Sequence, residues 1–200
     1  AGFDSRAVRL AQELPALRYF EVDHPATQAL KRERLPELGE VGARFVSWDF
    51  QRDPLARLPE ALRAPGHDST RPTLTVWEGV TMYLDPPAID ATVAAVAGYS
   101  ASGSPFVFTY RDRRIDESSA LSHRRALSLL VASVGEPFRF GWAPEELPGW
   151  LPSRGFALDQ DHTTGDLADR YLPPEHARRM RFAERRFASA RRAQHAVDAA

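Results

Sequence analysis

The chain has 200 residues, 43% of them hydrophobic and 26% charged, which is enough apolar material for one globular core and little more. Its formal net charge of −1 argues against a nucleic-acid or anionic-membrane partner, because both require a dominant positive field. Cys is absent and the six His show no metal-ligand spacing, so neither disulfides nor a metal site is expected. We therefore expect a single domain over residues 1–200.

The sequence also bears on location. No apolar run approaches the roughly 20 residues that a membrane-spanning helix needs, and no signal peptide opens the chain. Together with the lack of Cys, this pattern predicts a cytoplasmic protein. The oligomeric state is not predicted by any feature of the sequence.

Strands and helices alternate through the first half of the chain. Short apolar runs bounded by turn residues indicate strands, and apolar residues three or four apart indicate helices. Alternation of this kind predicts an α/β fold with a parallel sheet and right-handed crossovers. In chain order the predicted elements are a helix over 5–14 with Asp4 as its N-cap, a strand over 17–22, a helix over 25–35, a strand over 44–48, short helical turns within 51–66, a strand over 73–78, a helix over 86–99 and a strand over 106–110.

The alternation breaks after the last of these strands. A charged stretch leads into a helix predicted over 118–134, and we interpret residues 111–142 as an insertion on the substrate side of the sheet. Beyond it the predicted elements are a helix over 144–153, a strand over 156–161, a helix over 166–171 and, over 180–193, either a helix or a short last strand at 186–190.

Acidic residues fall at the ends of three successive predicted strands, as Asp23, Asp49 and Glu78. If the strands are parallel, the three carboxylates line one edge of the sheet, where open α/β folds bind their ligands. Each acid taken alone is also explained as a cap of the following turn or helix. Three in succession favour a ligand rich in hydroxyl and amino groups.

Four segments of the sequence resemble segments of a known protein family, and they occur in the same order and with the same spacing. They are the run GFDSRAVRL from Gly2, the run FEVDHP from Phe20 followed by Lys31, the pair Asp49-Phe50, and the run WEGVTMYL from Trp77. The chain in this respect resembles the leucine carboxyl methyltransferase family from residue 1 to about residue 110. The resemblance implies a Rossmann-like class I methyltransferase sheet, mostly parallel with helices on both faces, and S-adenosyl-L-methionine as the cofactor.

The resemblance also implies roles for individual residues. Tyr83 would lie on the substrate side, and no catalytic residue is identified. The implied cofactor contacts are Gly2 in the glycine loop, Asp23 on the ribose hydroxyls, Asp49 on the adenine amino group, the Phe50 backbone against the adenine ring, and Glu78 near the methionine part. A carboxylate suits hydroxyls and an exocyclic amine because it only accepts hydrogen bonds.

The chain departs from the family pattern at its beginning. Family members carry an N-terminal segment and a first strand before the glycine loop, whereas here the glycine loop is at residue 2. We therefore expect a methyltransferase sheet that lacks its first strand, and basic residues for the cofactor carboxylate that come from outside this sequence.

The predicted function is transfer of a methyl group from S-adenosyl-L-methionine to a carboxylate or hydroxyl of a small-molecule substrate. A carboxylate acceptor needs no base, whereas a hydroxyl would need one, for which His24, His123 and His162 are candidates. Three aromatic residues, Phe138, Phe140 and Trp142, are candidates for an apolar substrate wall, with core packing as the alternative.

Two other functions are considered. A nicotinamide-dependent oxidoreductase also places a strand-end acid on a ribose, but it requires a G-x-G-x-x-G turn that the sequence lacks. The second alternative is a degenerate or fragmentary methyltransferase-fold domain that has no catalytic activity and acts through a partner.

Overall fold

The computed structural model describes residues 2–34, 42–118, 138–180 and 184–194. The chain divides into two compact units, Ala1–Ser69 and Thr70–Ala200. Whether the two units form the single domain expected over residues 1–200 stays a prediction. Among the described residues, no helix is both long and apolar enough to cross a bilayer.

The first unit is a two-stranded parallel sheet with short helices. The strands pair in register from Tyr19 with Ala43 to Asp23 with Ser47. A helix connects them, as parallel strands require. The described elements of this unit are α1 (Arg6–Arg9), β1 (Tyr19–Asp23), α2 (Pro25–Arg34), β2 (Ala43–Ser47), a 3-10 turn (Leu55–Arg57) and α3 (Leu58–Arg63).

Helix α2 packs on this sheet through polar side chains. Gln28, which is 4% exposed, donates from Nε2 to the carbonyl of Glu21 at 3.1 Å and to that of Val46 at 3.2 Å. Its Oε1 accepts from the Ser47 hydroxyl at 2.6 Å. One amide side chain therefore joins the helix to both strands, and Pro25 begins the helix as predicted.

Helix α1 is shorter than the helix predicted over 5–14. Its cap is Ser5, and the Asp4 carboxylate accepts the Arg6 amide at 2.8 Å. Turns replace the helix beyond Leu10, because Pro15 disfavours helical geometry in the residue before it.

The second unit is built on a mixed four-stranded sheet of order β3-β4-β6-β5. Strands β3 and β4 are parallel, and β6 is antiparallel to both of its neighbours. The described elements are β3 (Thr75–Trp77), a 3-10 turn (Thr81–Tyr83), α4 (Pro86–Tyr99), β4 (Pro105–Arg111), α5 (Arg113–Ser118), a 3-10 turn (Pro144–Glu146), α6 (Leu147–Trp150), a 3-10 turn (Pro152–Arg154), β5 (Phe156–Thr163), α7 (Thr164–Tyr171), α8 (Pro174–Ala177) and β6 (Arg185–Arg192).

The predicted α/β class is confirmed, and the ambiguous tail is resolved as strand β6. Ala188 and Ala190, both almost fully buried, let β6 pair closely with β4 on one side and β5 on the other. The helix predicted over 144–153 is divided into two 3-10 turns around the short α6. The helix predicted over 118–134 and most of the 111–142 insertion lie outside the described residues.

Aromatic side chains form the core of the second unit. The Phe106 ring on β4 lies 6.2 Å from Trp77, 5.1 Å from Phe108 and 5.2 Å from Phe156, measured between centroids. Phe106 and Phe156 are each 1% exposed. Burial of these rings removes a large apolar area from water and supplies much of the stability of this unit.

We expect Phe106→Ala to lower the free energy of unfolding by about 3–5 kcal/mol, because it leaves a cavity among three aromatic rings. Urea denaturation measures the change. Leu74→Ala is the control, since Leu74 is 61% exposed and its truncation should change stability by about 0.5 kcal/mol or less. Equal effects of the two substitutions would contradict this core.

Candidate functional site

Asp23 ends β1 and holds two backbone amides with its carboxylate. The Gly2 amide donates to Oδ2, and the His24 amide donates to Oδ1 at 2.7 Å. The Asp23 carbonyl accepts from the Trp48 amide at 2.8 Å, which extends the pairing with β2 by one bond. The side chain is therefore fixed between the residue 2 turn and the start of α2.

The charge state of Asp23 follows from these contacts. Partial burial raises the pKa of the carboxyl, whereas hydrogen bonds and nearby positive charge, led by the Gly2 amide, lower it, and the resulting pKa lies below the ordinary value of 3.8. The group is thus ionised at neutral pH and only accepts hydrogen bonds. A carboxylate has about four acceptor sites, so two amide hydrogen bonds do not by themselves exclude hydroxyl donors of a ligand.

Gly2 has the backbone conformation that makes glycine the suitable residue at this turn. Its φ of +50° lies in the left-handed region, which costs other residues about 1 kcal/mol or more. Apart from Gly2 and its chain neighbours, no heavy atom of the described residues lies within 4 Å of the place where a β-carbon would be. The positive φ of the backbone therefore explains why glycine occupies this position, and steric contact with the described residues does not.

Asp49 follows β2 and is held in a tight turn. Its Oδ1 accepts the Gln51 amide at 2.9 Å, and its own amide donates to Asp53 Oδ2 at 2.7 Å. The side chain is 20% exposed. Phe50, the next residue in the turn, is partly buried. The adenine contacts expected of Asp49 and Phe50 stay predictions.

His24 lies between the two acids, a role that the sequence did not indicate. Its amide binds Asp23, and its ring Nε2 lies 3.6 Å from Asp49 Oδ2. Ring Nδ1 accepts from the Ala26 amide at 3.2 Å, which assigns the proton of the neutral ring to Nε2, on the side of Asp49. The first unit thus brings together Gly2, Asp23, His24 and Asp49.

A buried ion pair beneath this cluster was also missed. Lys31 Nζ lies 2.5 Å from Glu21 Oε2, and both residues are less than 10% exposed. The sequence carried one signal for it, a carboxylate in the middle of an apolar strand, which is costly to bury without a partner.

Glu78 and Tyr83 belong to the second unit. Glu78 is an exposed residue directly after β3. The turn after it is tied to β4, because the Gly79 amide donates to Thr109 Oγ1 at 2.8 Å and the Thr81 hydroxyl donates to the Thr109 carbonyl at 2.7 Å. The predicted contact of Glu78 with the cofactor stays a prediction.

An aromatic and basic cluster surrounds Tyr83. Its ring lies 5.7 Å from Phe138, and the Arg111 guanidinium lies 4.2 Å from the centroid of the Phe138 ring. The Arg139 amide donates to the Met82 carbonyl at 2.7 Å, which fixes the Phe138 segment beside this turn. Tyr83, Phe138 and Arg111 are each only partly buried.

The other candidates from the sequence have different places. Trp142 is 2% exposed and contacts Tyr110 and Trp150, so it is a core residue. Phe140 is partly buried against it. His162 on β5 lies 3.2 Å from Gln160 Oε1, and His123 falls outside the described residues.

A partly buried polar cluster joins the three strands β4, β5 and β6. The Tyr110 hydroxyl donates to Asp161 Oδ2 at 2.7 Å and accepts from Arg186 Nε at 3.0 Å. Burial, with the nearby Asp161 carboxylate, raises the pKa of the Tyr110 phenol well above its usual range. Tyr110 therefore stays protonated and acts as a fixed donor.

The lowered pKa of Asp23 has a consequence for stability. A group with a depressed pKa in the folded state stabilises the protein above its unfolded-state pKa, and this contribution is lost as the pH falls through the folded-state pKa. We expect Asp23→Asn to cost about 1–2 kcal/mol at pH 7, since it replaces a charged acceptor of two amides. Wild type and variant should converge as the pH falls below about 4. Urea denaturation from pH 7 to pH 3 checks this, and a pH-independent difference would contradict it.

The sequence is similar to those of proteins named as methyltransferases. Residues 1–97 match the family described as leucine carboxyl methyltransferase. A Streptomyces coelicolor protein named as an S-adenosyl-L-methionine-dependent methyltransferase is 32% identical over 179 residues, which are 87% of this chain and 58% of that protein. Proteins of the same name from Mycolicibacterium gilvum and Frankia alni are 34% and 30% identical over 82% and 94% of this chain. The chain spans between 50% and 63% of the length of these three relatives.

Solved structures share the fold at low sequence identity. A DUF574 family protein from Streptomyces avermitilis has a TM-score of 0.62 and is 16% identical, with 95% of this chain and 80% of that chain covered. An O-methyltransferase family protein from Burkholderia thailandensis has a TM-score of 0.60 at 16% identity, over 96% of this chain and 49% of that chain. Human N-acetylserotonin methyltransferase, crystallised with S-adenosylmethionine, has a TM-score of 0.58 at 16% identity, with 96% of this chain and 46% of that chain covered.

These likenesses establish the fold as that of class I methyltransferases. Gly2, Asp23, His24 and Asp49, which form the cluster around Asp23, all lie within segments that carried the resemblance. The first 97 residues match the leucine carboxyl methyltransferase family, and most of the chain is similar to proteins named as S-adenosyl-L-methionine-dependent methyltransferases.

Proposed function

We propose that this chain is the cofactor-binding part of an S-adenosyl-L-methionine-dependent methyltransferase that acts on a carboxylate or hydroxyl oxygen of a small molecule. The observation that carries the proposal is the ionised Asp23 carboxylate at the end of β1, fixed by the amide of a left-handed glycine. The names of the sequence relatives support the same activity.

The residues of the first unit fit the nucleoside part of this cofactor. The two ribose hydroxyls are donors side by side, which suits one carboxylate, and we assign them to Asp23. Asp49 is the acceptor for the adenine amino group, with the Phe50 backbone against the ring. His24 lies between the two carboxylates, with its amide bonded to Asp23 and its ring beside Asp49.

When bound, S-adenosyl-L-methionine would supply a methyl group on a sulfonium. The proposed transfer to the acceptor oxygen would be an in-line displacement, with the thioether as the leaving group. The chain would orient the nucleoside and hold the cofactor in the geometry that the reaction requires. Such positioning accounts for much of the rate enhancement of reactions of this kind.

The acceptor side is assigned to the second unit. Tyr83, with Phe138 and Arg111, offers two partly buried rings and a cation, a combination that suits a planar and anionic acceptor. Glu78 is retained as the contact to the methionine part. The ring nitrogens of His24 and His162 lie beside other protein groups, which favours an acceptor that needs no base.

The amino-acid composition is the basis for the cellular location and the type of partner that we propose. A net charge of −1 and the absence of Cys support a cytoplasmic protein with a small-molecule substrate and no nucleic-acid or membrane partner. A methyltransferase-fold domain without activity, which acts through a partner, is the alternative that the following measurements separate.

We expect S-adenosyl-L-homocysteine to bind the full-length protein, and Asp23→Asn to weaken that binding by roughly 10- to 100-fold, the equivalent of losing charge-assisted hydrogen bonds. Isothermal titration calorimetry measures both affinities. Asp159→Asn is the control, because Asp159 is a strand carboxylate that pairs with Arg191 in the second unit. Absence of binding, or equal affinity of wild type and Asp23→Asn, would sink the assignment.

The nature of the acceptor atom is tested by chemical stability of the product. With radiolabelled S-adenosyl-L-methionine and a pool of cell metabolites, we expect label that mild alkali releases as methanol from a carboxyl ester, or that boron tribromide releases from an ether. Label that survives both treatments lies on nitrogen or carbon and contradicts transfer to oxygen. No incorporation at all, despite cofactor binding, favours the inactive domain.

A further inference from the structure

Lys31 is the only lysine in a chain that otherwise uses arginine for its basic residues, and it is buried. The sequence has 26 Lys and Arg residues together, of which Lys31 alone is Lys. Its side chain lies on α2 facing β1 and the residue is 5% exposed. A charge in this position is costly unless several acceptors compensate it, so the contacts of this ammonium group are informative.

The ammonium group of Lys31 binds two separate acceptors. Nζ lies 2.5 Å from Glu21 Oε2 on β1 and 2.6 Å from the backbone carbonyl oxygen of Asp4. A compact ammonium with three donors can reach a carboxylate and a carbonyl in different directions, whereas the planar guanidinium of arginine favours two parallel bonds to one carboxylate. This geometry explains why lysine occupies this position in an arginine-rich chain.

The carbonyl that Lys31 binds belongs to the turn that carries Gly2. We call residues 2–5 the glycine turn. On one side the Gly2 amide donates to Asp23, and on the other the Asp4 carboxylate binds the Arg6 amide at 2.8 Å and Arg6 Nε at 2.7 Å. Lys31 connects the Asp4 carbonyl of this turn to the Glu21 carboxylate on β1.

We infer that Lys31 is a positioning residue for the cofactor site. Its ammonium group holds the glycine turn against β1, so that the Gly2 amide stays on the Asp23 carboxylate and the ribose acceptor keeps its orientation. Lys31 acts through the backbone of Asp4 and does not itself touch the ligand. The effect of Lys31 on ligand binding rests on the proposed function.

A purely structural role is the competing explanation, and Gln28 provides the comparison. Gln28 lies one turn earlier on α2, is equally buried, and bonds to the carbonyls of Glu21 and Val46. Its side-chain amide forms hydrogen bonds with Glu21, Val46 and Ser47, all of which are strand residues. Loss of Gln28 should therefore loosen the strands, whereas loss of Lys31 should release the turn.

The test uses a variant that removes the anchor without leaving a buried charge. Lys31→Met combined with Glu21→Leu replaces the ion pair by apolar side chains, which in buried pairs is often neutral or stabilising. Amide hydrogen exchange of the full-length protein without ligand, followed by NMR, should show exchange at residues 2–5 faster by roughly tenfold, with β1 and β2 unchanged. Affinity for S-adenosyl-L-homocysteine should fall by about tenfold.

Two further variants make the result specific. Gln28→Met should speed exchange in β1 and β2 and leave the affinity within about twofold of wild type. Lys31→Arg keeps the charge beside Glu21 and serves if the double variant does not fold. It should bind S-adenosyl-L-homocysteine more weakly and exchange faster at residues 2–5. The reason is that the planar guanidinium would form two parallel hydrogen bonds to the Glu21 carboxylate and leave the Asp4 carbonyl without this donor.

The outcomes separate the two proposals. The double variant decides the matter, or Lys31→Arg if only that variant folds. If exchange at residues 2–5 and affinity are both unchanged in that variant, the positioning role is overturned. Faster exchange of the turn with unchanged affinity also overturns it, because the turn would then be anchored by Lys31 without consequence for the ligand. If wild type does not bind S-adenosyl-L-homocysteine, the proposed function fails, and the positioning role fails with it.

Discussion

A buried ammonium group is the constraint on which the first unit depends. Lys31 joins α2 to the Glu21 carboxylate on β1 and to the Asp4 carbonyl in the turn before α1. A two-stranded sheet buries little apolar surface, so polar contacts determine its geometry more than they would in a large core. Removing one member of a buried pair costs about 3–5 kcal/mol, because a charge is left without its partner. The glycine turn, the strand and the helix are held in one arrangement as a result.

The capping and ligand-binding interpretations of the strand-end acids are compatible in this fold. Asp23 and Asp49 each accept a backbone amide, as caps do, from His24 and Gln51. A carboxylate fixed by such bonds loses its rotational freedom before any ligand arrives, and it remains an acceptor with more than one site. Capping therefore preorganises these groups and does not compete with binding. The cost of ordering the acids is met during folding and not at the binding step.

The sequence predicts some parts of this structure well, for reasons that differ by element. Helix α4 agrees with its predicted bounds, because Asp85 accepts the Ala88 amide at its start and its buried residues follow a helical period. Strand β6 was ambiguous, because its Ala and Arg residues favour helix, and its extended state depends on pairing with β4 and β5, which are distant in sequence. The strand-end acids were visible as a pattern. The contacts of Lys31 and His24 were not, because they depend on which face of α2 meets the sheet.

We propose that Asp23, fixed by the glycine turn, is the ribose anchor of the site. A crystal structure of the full-length protein with S-adenosyl-L-homocysteine would show where the ribose binds. Both ribose hydroxyl oxygens should lie within about 2.5–3.0 Å of the Asp23 carboxylate oxygens, with the Gly2 amide still bonded to that carboxylate. A nucleoside bound elsewhere, or a ribose whose hydroxyls point away from Asp23, would contradict it.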